Sequence, residues 1–294
     1  FAPGVFWLWL IYQRDRYIPA PVHLVVRTFL LGVVVSVPVV LAEALLLFVA
    51  GFDFEGDFTE EQLALPQVAY VSFVVAGMTE ELAKYLVLKK TVYGSLYFRQ
   101  PLDGVIFSAA VALGFASIEN VGYIYSFGAA VILVRGPIST VAHVLFSTWF
   151  GYALGARKLG RLWPQAPYVA LMAAMTLHGV FDFLLMADPS YVPWAFVLFA
   201  AIGLLFILIL RVSQRQSPYR HKVAVTLVTC PRCTQRIGFG ARFCAACGLS
   251  LVMAKTGPQF LCGNCNAITE SRHHFCTACG SRLDRKLVYT QAQP

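Results

Sequence analysis

Three ionisable side chains stand together in Gly77-Met78-Thr79-Glu80-Glu81-Leu82-Ala83-Lys84, within a stretch over 65–88 that is otherwise apolar or small. A charged group at bilayer depth costs at least about 2.5–3.5 kcal/mol to insert, so such groups mark function by default. On a helix Glu80 and Lys84 share a face and can neutralise each other, whereas Glu81 points about 100° away and needs another partner. The bland alternative is an ion pair that only ties helices together. Three further apolar stretches are interrupted in the same way, by Glu119 and Asn120, by His143 and Ser147, and by His178 and Asp182. The last two pairs are spaced i, i+4 and each occupies one helical face. One intramembrane histidine alone can be a satisfied packing residue, but four polar stripes relieve one another's desolvation only by converging. Glu43 has no polar residue beside it and ranks below these.

Carboxylates and imidazoles in a low-dielectric cavity suit general acid–base catalysis. Peptide-bond hydrolysis needs a base to activate water and donors for the oxyanion, and this set holds both. The same residue types suit a metal site or proton-coupled transport, so the chemistry alone does not choose. Neither a serine nucleophile elbow nor an HExxH motif is present. Transport would be expected to leave an inverted repeat, and none is visible.

A second chemistry lies at the C-terminus, which carries all 8 cysteines of the chain. They read Cys230-x-x-Cys233 and Cys244-x-x-Cys247, then, 32 residues on, Cys262-x-x-Cys265 and Cys276-x-x-Cys279, with Phe243/Phe275, Gly248/Gly280 and Leu251/Leu283 repeating at the same offset. Two CxxC knuckles let four thiolates converge on one Zn²⁺, and such closed sites are structural. Disulfides are disfavoured in a reducing cytoplasmic tail, and units this small need the metal in order to fold. Two structural zinc ions are therefore expected. His273 and His274 read as surface residues. Arg232, Arg236, Arg242, Arg272, Arg282, Arg285 and Lys286 read as solvated surface before they read as contacts to nucleic acid or anionic lipid.

The elements that must position these groups follow from composition. Hydrophobic residues make up 58% and charged residues 13%, with net charge +8 and mean hydropathy +0.67; a soluble domain carries about 25% charged residues. The expected fold is an all-α polytopic membrane protein with a small C-terminal tandem zinc-ribbon domain. Apolar runs at 24–50, 65–88, 102–127, 137–156, 165–186 and 193–210 are six full spans. Phe1–Tyr12 reads as the cut end of a first helix, giving about seven, and no cleavable signal pattern is visible. Alternate connections hold Arg14 and Arg16, then Lys89, Lys90 and Arg99, then Arg157, Lys158 and Arg161, then Arg211, Arg215, Arg220 and Lys222; the intervening ones hold Arg135 and the acidic Asp53, Glu55, Asp57, Glu60, Glu61 and Asp188. The positive-inside rule then makes the protein a multi-pass cell-membrane protein with a cytoplasmic C-terminus. The expected domains are a membrane domain over 1–212, a linker over 213–222 and a double zinc ribbon over 223–294. Glu119, His143 and His178 fall roughly 9–12 Å from the outer ends of their spans, within a hydrocarbon core about 30 Å thick. Glu80 matches that depth if its helix begins near Tyr70.

Glu80-Glu81-x-x-Lys84, Phe115-x-x-x-Glu119-Asn120, His143-x-x-x-Ser147 and His178-x-x-x-Asp182, in order, resemble the four motifs of the PrsW family of intramembrane proteases; Phe6–Pro21 resembles that family's first-helix exit. The likeness spans Phe1–Leu210, and the family belongs with the type II CAAX prenyl endopeptidases. It implies a multi-helix core that cleaves membrane-anchored proteins, anti-sigma factors among them, in or beside the bilayer. Carried over, one of Glu80 and Glu81 activates water and Glu119 helps hold it. His178 with Asp182 binds the oxyanion or orients the scissile carbonyl, His143 completes the cavity, and Lys84 is the charge partner of the glutamates. In a metalloprotease version Glu119, His143 and His178 are the natural ligand trio. A non-catalytic scaffold or receptor with a zinc-ribbon sensor tail is the alternative from another class, and the cytoplasmic partner of the ribbons is left unassigned.

Overall fold

A computed structural model describes residues 1–52 and 63–219 and, near the C-terminus, 227–230, 232–238, 243–244, 246–249, 259–261, 264–265, 268–270, 275–276 and 278–282. The chain divides into two compact units, Phe1–Arg220 and His221–Pro294.

The first unit is helical: α1 (Ala2–Tyr12), α2 (Val22–Val49), α3 (Leu65–Ala69), α4 (Thr79–Thr91), α5 (Pro101–Phe127), α6 (Ile132–Arg135), α7 (Ser139–Lys158), α8 (Ala166–Met186) and α9 (Val192–Arg215). A π-helical segment, Tyr70–Met78, joins α3 to α4. Among the described residues four helical stretches are long and apolar enough to cross a membrane: Val22–Val49, Pro101–Phe127, Ala166–Met186 and Pro189–Arg215. A fifth is added if Ala129–Arg135 and Ser139–Lys158, bent by 42°, are one span. The expected count of about seven also included α1, whose 11 residues rise only about 16 Å, and the 65–88 run, which is three helical pieces in succession. The third helix begins at Leu65, not near Tyr70.

Helix α5 is the axis of the unit. From Pro101 to Ser117 it is apolar or small except for Asp103 and buried throughout, as such a stretch must be. Its glycines decide how close its neighbours come. A Cβ on Gly114 would collide with the Phe29 carbonyl of α2, and one on Gly104 with the Gly151 carbonyl of α7. Helices in lipid associate largely through such close packing at small residues. Pro101 opens α5 at its first turn, where a missing N–H is harmless, and Gly128, at φ 81°, closes it.

Away from the apolar core, the Asp15 carboxylate accepts from the Ala20 amide at 2.9 Å and from Gln100 Nε2 at 3.0 Å. Ser217 Oγ donates to Gln100 Oε1 at 2.5 Å. The exit of α1, the start of α5 and the end of α9 are thereby tied together. The polar stretch from Ser213, set apart as a linker by composition, thus begins inside α9 and packs through Ser217 on the helical unit; Ser213 and Ser217 are both buried. The acidic connection, 53–62, lies outside the described residues.

The second unit holds two antiparallel hairpins, β1 (Leu227–Thr229) with β2 (Arg236–Gly238) and β3 (Gln259–Leu261) with β4 (Ile268–Glu270). In its knuckles the Gly248 amide donates to the Cys244 carbonyl and the Gly280 amide to the Cys276 carbonyl, each at 2.9 Å. Both glycines have positive φ, 70° and 73°, which a side chain at these positions would strain.

Candidate active site

Glu80 and Glu81 come from the first turn of α4 and Lys84 from the next, directly after the π-helical segment, a form frequent at functional sites. Two glycines bring this segment against α8: a Cβ on Gly77 would press on the Met175 carbonyl, and one on Gly179 on the Phe73 ring. The consequence is a buried centre built from α4, α5, α7 and α8. Lys84 Nζ lies 2.9 Å from Glu80 Oε2, 2.8 Å from Glu81 Oε1 and 3.0 Å from His143 Nδ1, and 4.4 Å from the Phe115 ring centroid. Glu81 also accepts from Ser147 Oγ at 2.7 Å and faces His178 Nδ1 at 3.1 Å. His178 Nε2 lies 3.3 Å from Asp182 Oδ2. The two imidazoles meet edge to face, with centroids 5.3 Å apart, and Phe146 stacks on His178.

The His143 tautomer follows from its neighbours. An ammonium only donates, so Nδ1 accepts from Lys84, and Nε2 lies 2.6 Å from Glu119 Oε2. Glu119 in turn meets the Arg135 guanidinium at 3.3 Å. Arg135 also donates to Asn120 Oδ1 at 3.0 Å, and Asn120 Nδ2 donates to Thr140 at 2.8 Å. The eight sequence-selected residues of the membrane part and Ser147 are thus one connected network. Sequence reasoning missed Arg135, Thr140 and Tyr123, whose ring centroid lies 3.5 Å from the Arg135 guanidinium. Arg135 was visible as the lone basic residue among the outer connections, the only signal it gave. Glu43, ranked low, accepts from Thr79 Oγ1 at 3.1 Å and so borders α4 at Glu80.

A cavity of about 280 Å³ adjoins this network, lined among others by Glu119, Tyr123, Arg135, His143, His178 and Asp182. The side chains of Glu119 and Asp182 are 25% and 26% exposed, against 7% for Glu80 and 0% for Glu81 and Lys84. Two carboxylates therefore meet the cavity and two stand behind it.

The arrangement bears on metal binding. Ligand atoms of Glu80, Glu81, His143 and His178 lie within 4.8 Å of one another, a donor set suited to a divalent ion. This differs from the trio Glu119, His143 and His178: Glu119 sits on the Nε2 side of the His143 ring, away from the face shared with Glu80. Lys84 Nζ lies within 3.0 Å of three of the four clustered groups. It already supplies the cation that the carboxylates require, and a divalent ion would be repelled by it at short range. With Lys84 in place the site does not fit a resident metal.

The cysteines behave otherwise. Sγ of Cys230, Cys233, Cys244 and Cys247 all lie within 4.8 Å, with Cys230 to Cys247 at 3.7 Å and Cys233 to Cys244 at 3.6 Å. A tetrahedron of sulfurs about 2.3 Å from zinc has edges of about 3.8 Å, so the fit is close. Cys265, Cys276 and Cys279 form the second cluster, with Cys265 to Cys276 at 3.6 Å; Cys262, their expected fourth partner, lies outside the described residues, as do His273 and His274.

Comparison with known proteins agrees with both halves. The family described as PrsW family intramembrane metalloprotease matches residues 20–210, and the one described as Double zinc ribbon matches residues 230–280. The chain is 38% identical over 203 residues to "Protease PrsW" of Clostridioides difficile (strain 630), covering 66% of this chain and 78% of that protein. It is 30% identical over 193 residues to that of Bacillus subtilis (strain 168), covering 65% and 83%. The Geobacillus kaustophilus (strain HTA426) protein is 32% identical over 196 residues, covering 65% and 79%. No solved structure matches the chain.

Proposed function

We propose, from the premise that the chain belongs to the PrsW family of intramembrane proteases, that it hydrolyses peptide bonds of membrane-anchored proteins with a glutamate-activated water. The observation that carries this is Lys84, which fills the centre of the only buried carboxylate–imidazole cluster among the described residues.

The roles divide by what each group already holds. Glu81 accepts from Lys84 and Ser147 and faces His178, so it anchors the cluster. Glu80 gives one oxygen to Lys84 and keeps Oε1 without a partner among the described residues; it is the base. Glu119, steered by His143 and Arg135, borders the cavity and holds the water. His178 Nε2, once released from Asp182, donates to the oxyanion, the role such preorganised donors play in acyl transfer. Asn120 and Thr140 fix Arg135. Residues 1–212 are then the protease domain and 223–294 the double zinc ribbon, joined through 213–222.

The cavity lies where α5 and α8 end and α7 begins, opposite to the basic connections. With those connections cytoplasmic, cleavage falls near the extracytoplasmic face and the zinc ribbons face the cytoplasm. Anti-sigma-factor-like substrates are the class the family resemblance suggests. The test is reconstituted proteolysis by single variants. Glu80→Gln and Glu119→Gln are each expected to lose about 10²-fold or more in kcat, the usual worth of a positioned base, at unchanged abundance. Undiminished cleavage by Glu80→Gln overturns the assignment of the base, and activity in the Glu80→Gln, Glu81→Gln double variant overturns the glutamate mechanism.

A further inference from the structure

Independently of the protease reading, a second and larger cavity of about 810 Å³ lies between α1, α7 and α9. Its walls are apolar along most of their length, from Val141 and Leu145 on α7 and Phe199 to Leu210 on α9. At one end it changes character, because Arg14, Arg16 and Arg211 line it there. All three are exposed, and none is in an ion pair among the described residues. Gln214 Nε2 donates to the Arg14 carbonyl at 2.9 Å, which ties the chain after α1 to the end of α9 beneath those arginines.

Two dimensions narrow the occupant. From Phe199 to Arg211 α9 rises about 18 Å, close to one leaflet of a hydrocarbon core about 30 Å thick. A transmembrane helix needs the full 30 Å and, at about 10 Å in diameter, fills roughly 2,400 Å³, three times the space present. An acyl chain from one leaflet has the right length and an apolar body. Its headgroup would then lie among three arginines, and basic pockets between membrane helices select anionic headgroups. The floor is open: a Cβ on Gly203, which lines the cavity, would have no atom within 4 Å.

We propose that this groove is a binding site for one anionic phospholipid, with the phosphate held by Arg14, Arg16 and Arg211 and an acyl chain lying along α9 over Gly203. The occupant belongs to the leaflet at which the arginines sit. None of these residues touches the Glu80–Lys84 network, so loss of the lipid and loss of the catalytic assignment are separable.

The full chain, released from bilayers of equal phosphatidylglycerol and phosphatidylcholine and weighed intact by native mass spectrometry, tests this. The expected result is one retained phosphatidylglycerol per chain, at least tenfold preferred. The Arg14→Gln, Arg16→Gln, Arg211→Gln variant should retain lipid without headgroup preference. Gly203→Leu and, as a second filling variant, Ala200→Leu should retain neither lipid, while their thermal unfolding stays that of the unaltered chain. Absence of preference in the unaltered chain, preference unchanged by removing the arginines, or retention unchanged by both filling variants overturns the proposal. So does displacement of the lipid by a transmembrane peptide that cross-links to Leu204, which would make the groove a docking site for a helix.

Discussion

Lys84 is the residue on which the centre depends. It is wholly buried and meets two carboxylates and an imidazole. Removing one partner of a buried ion pair typically costs about 3–5 kcal/mol, because the remaining charge is left uncompensated. Lys84→Met is thus expected to lower stability on that scale and to abolish cleavage, whereas Glu80→Gln, which leaves Lys84 paired with Glu81, is expected to lose about 10²-fold or more in kcat with a smaller loss of stability; thermal unfolding beside an activity assay separates them, and equal stability of the two variants would contradict the Lys84 role. Asp15 supplies a pH effect outside the spans. Burial first, and then the neighbouring Asp103 carboxylate, push its carboxyl from 3.8 up to about 6. A raised pKa means that the folded chain binds the proton more tightly, so its stabilising contribution is complete below about pH 4 and is lost as pH rises through 6. The unfolding temperature of the solubilised protein should fall between about pH 4 and 6, and Asp15→Asn should flatten that fall; an identical slope in both would refute it.

At the scale of elements, the glycine contacts set the site's geometry. Gly77 and Gly179 let the π-helical segment and α8 come close enough for Glu81 to meet His178. Gly179→Ala adds one methyl against Phe73, and a displacement of about 1 Å can cost about 10²-fold in rate. That variant should lose activity without loss of charge or of insertion, read as kcat at unchanged abundance; full activity would show that the approach has slack. The zinc knuckles are elements of a different sort. Their sequence spacing alone determines them, since CxxC and its partner CxxC need only a hairpin to close on the metal.

For the whole molecule, metal content separates the two chemistries. Elemental analysis of the purified chain should find two zinc ions, one for each ribbon, and none at the Glu80–Lys84 centre. A third metal, lost in Lys84-independent fashion together with activity while the ribbons stay loaded, would replace the glutamate mechanism with a metal one. Substrate termini test orientation: new ends near the extracytoplasmic side of the substrate's membrane segment agree with the cavity's place at the ends of α5 and α8, and a cytoplasmic cut contradicts it.

Much of this was legible in the chain because insertion into lipid penalises each polar residue separately. Glu80, Glu81, Lys84, Glu119, Asn120, His143, His178 and Asp182 stand out one by one against apolar surroundings, and convergence is their only common relief. The cysteine spacing was legible because metal geometry is local. What needed the tertiary structure was everything decided between helices. Local spacing pairs Glu80 with Lys84, but only the approach of α7 puts His143 Nδ1 on the same ammonium and turns its other nitrogen to Glu119. Arg135 and Gly179 gave little or no signal in sequence, since their roles exist only through Glu119 and Phe73 on other helices. Periodicity and charge cost are properties of a segment, while the choice of partner depends on how closely backbones approach, and that is fixed by packing across the bundle.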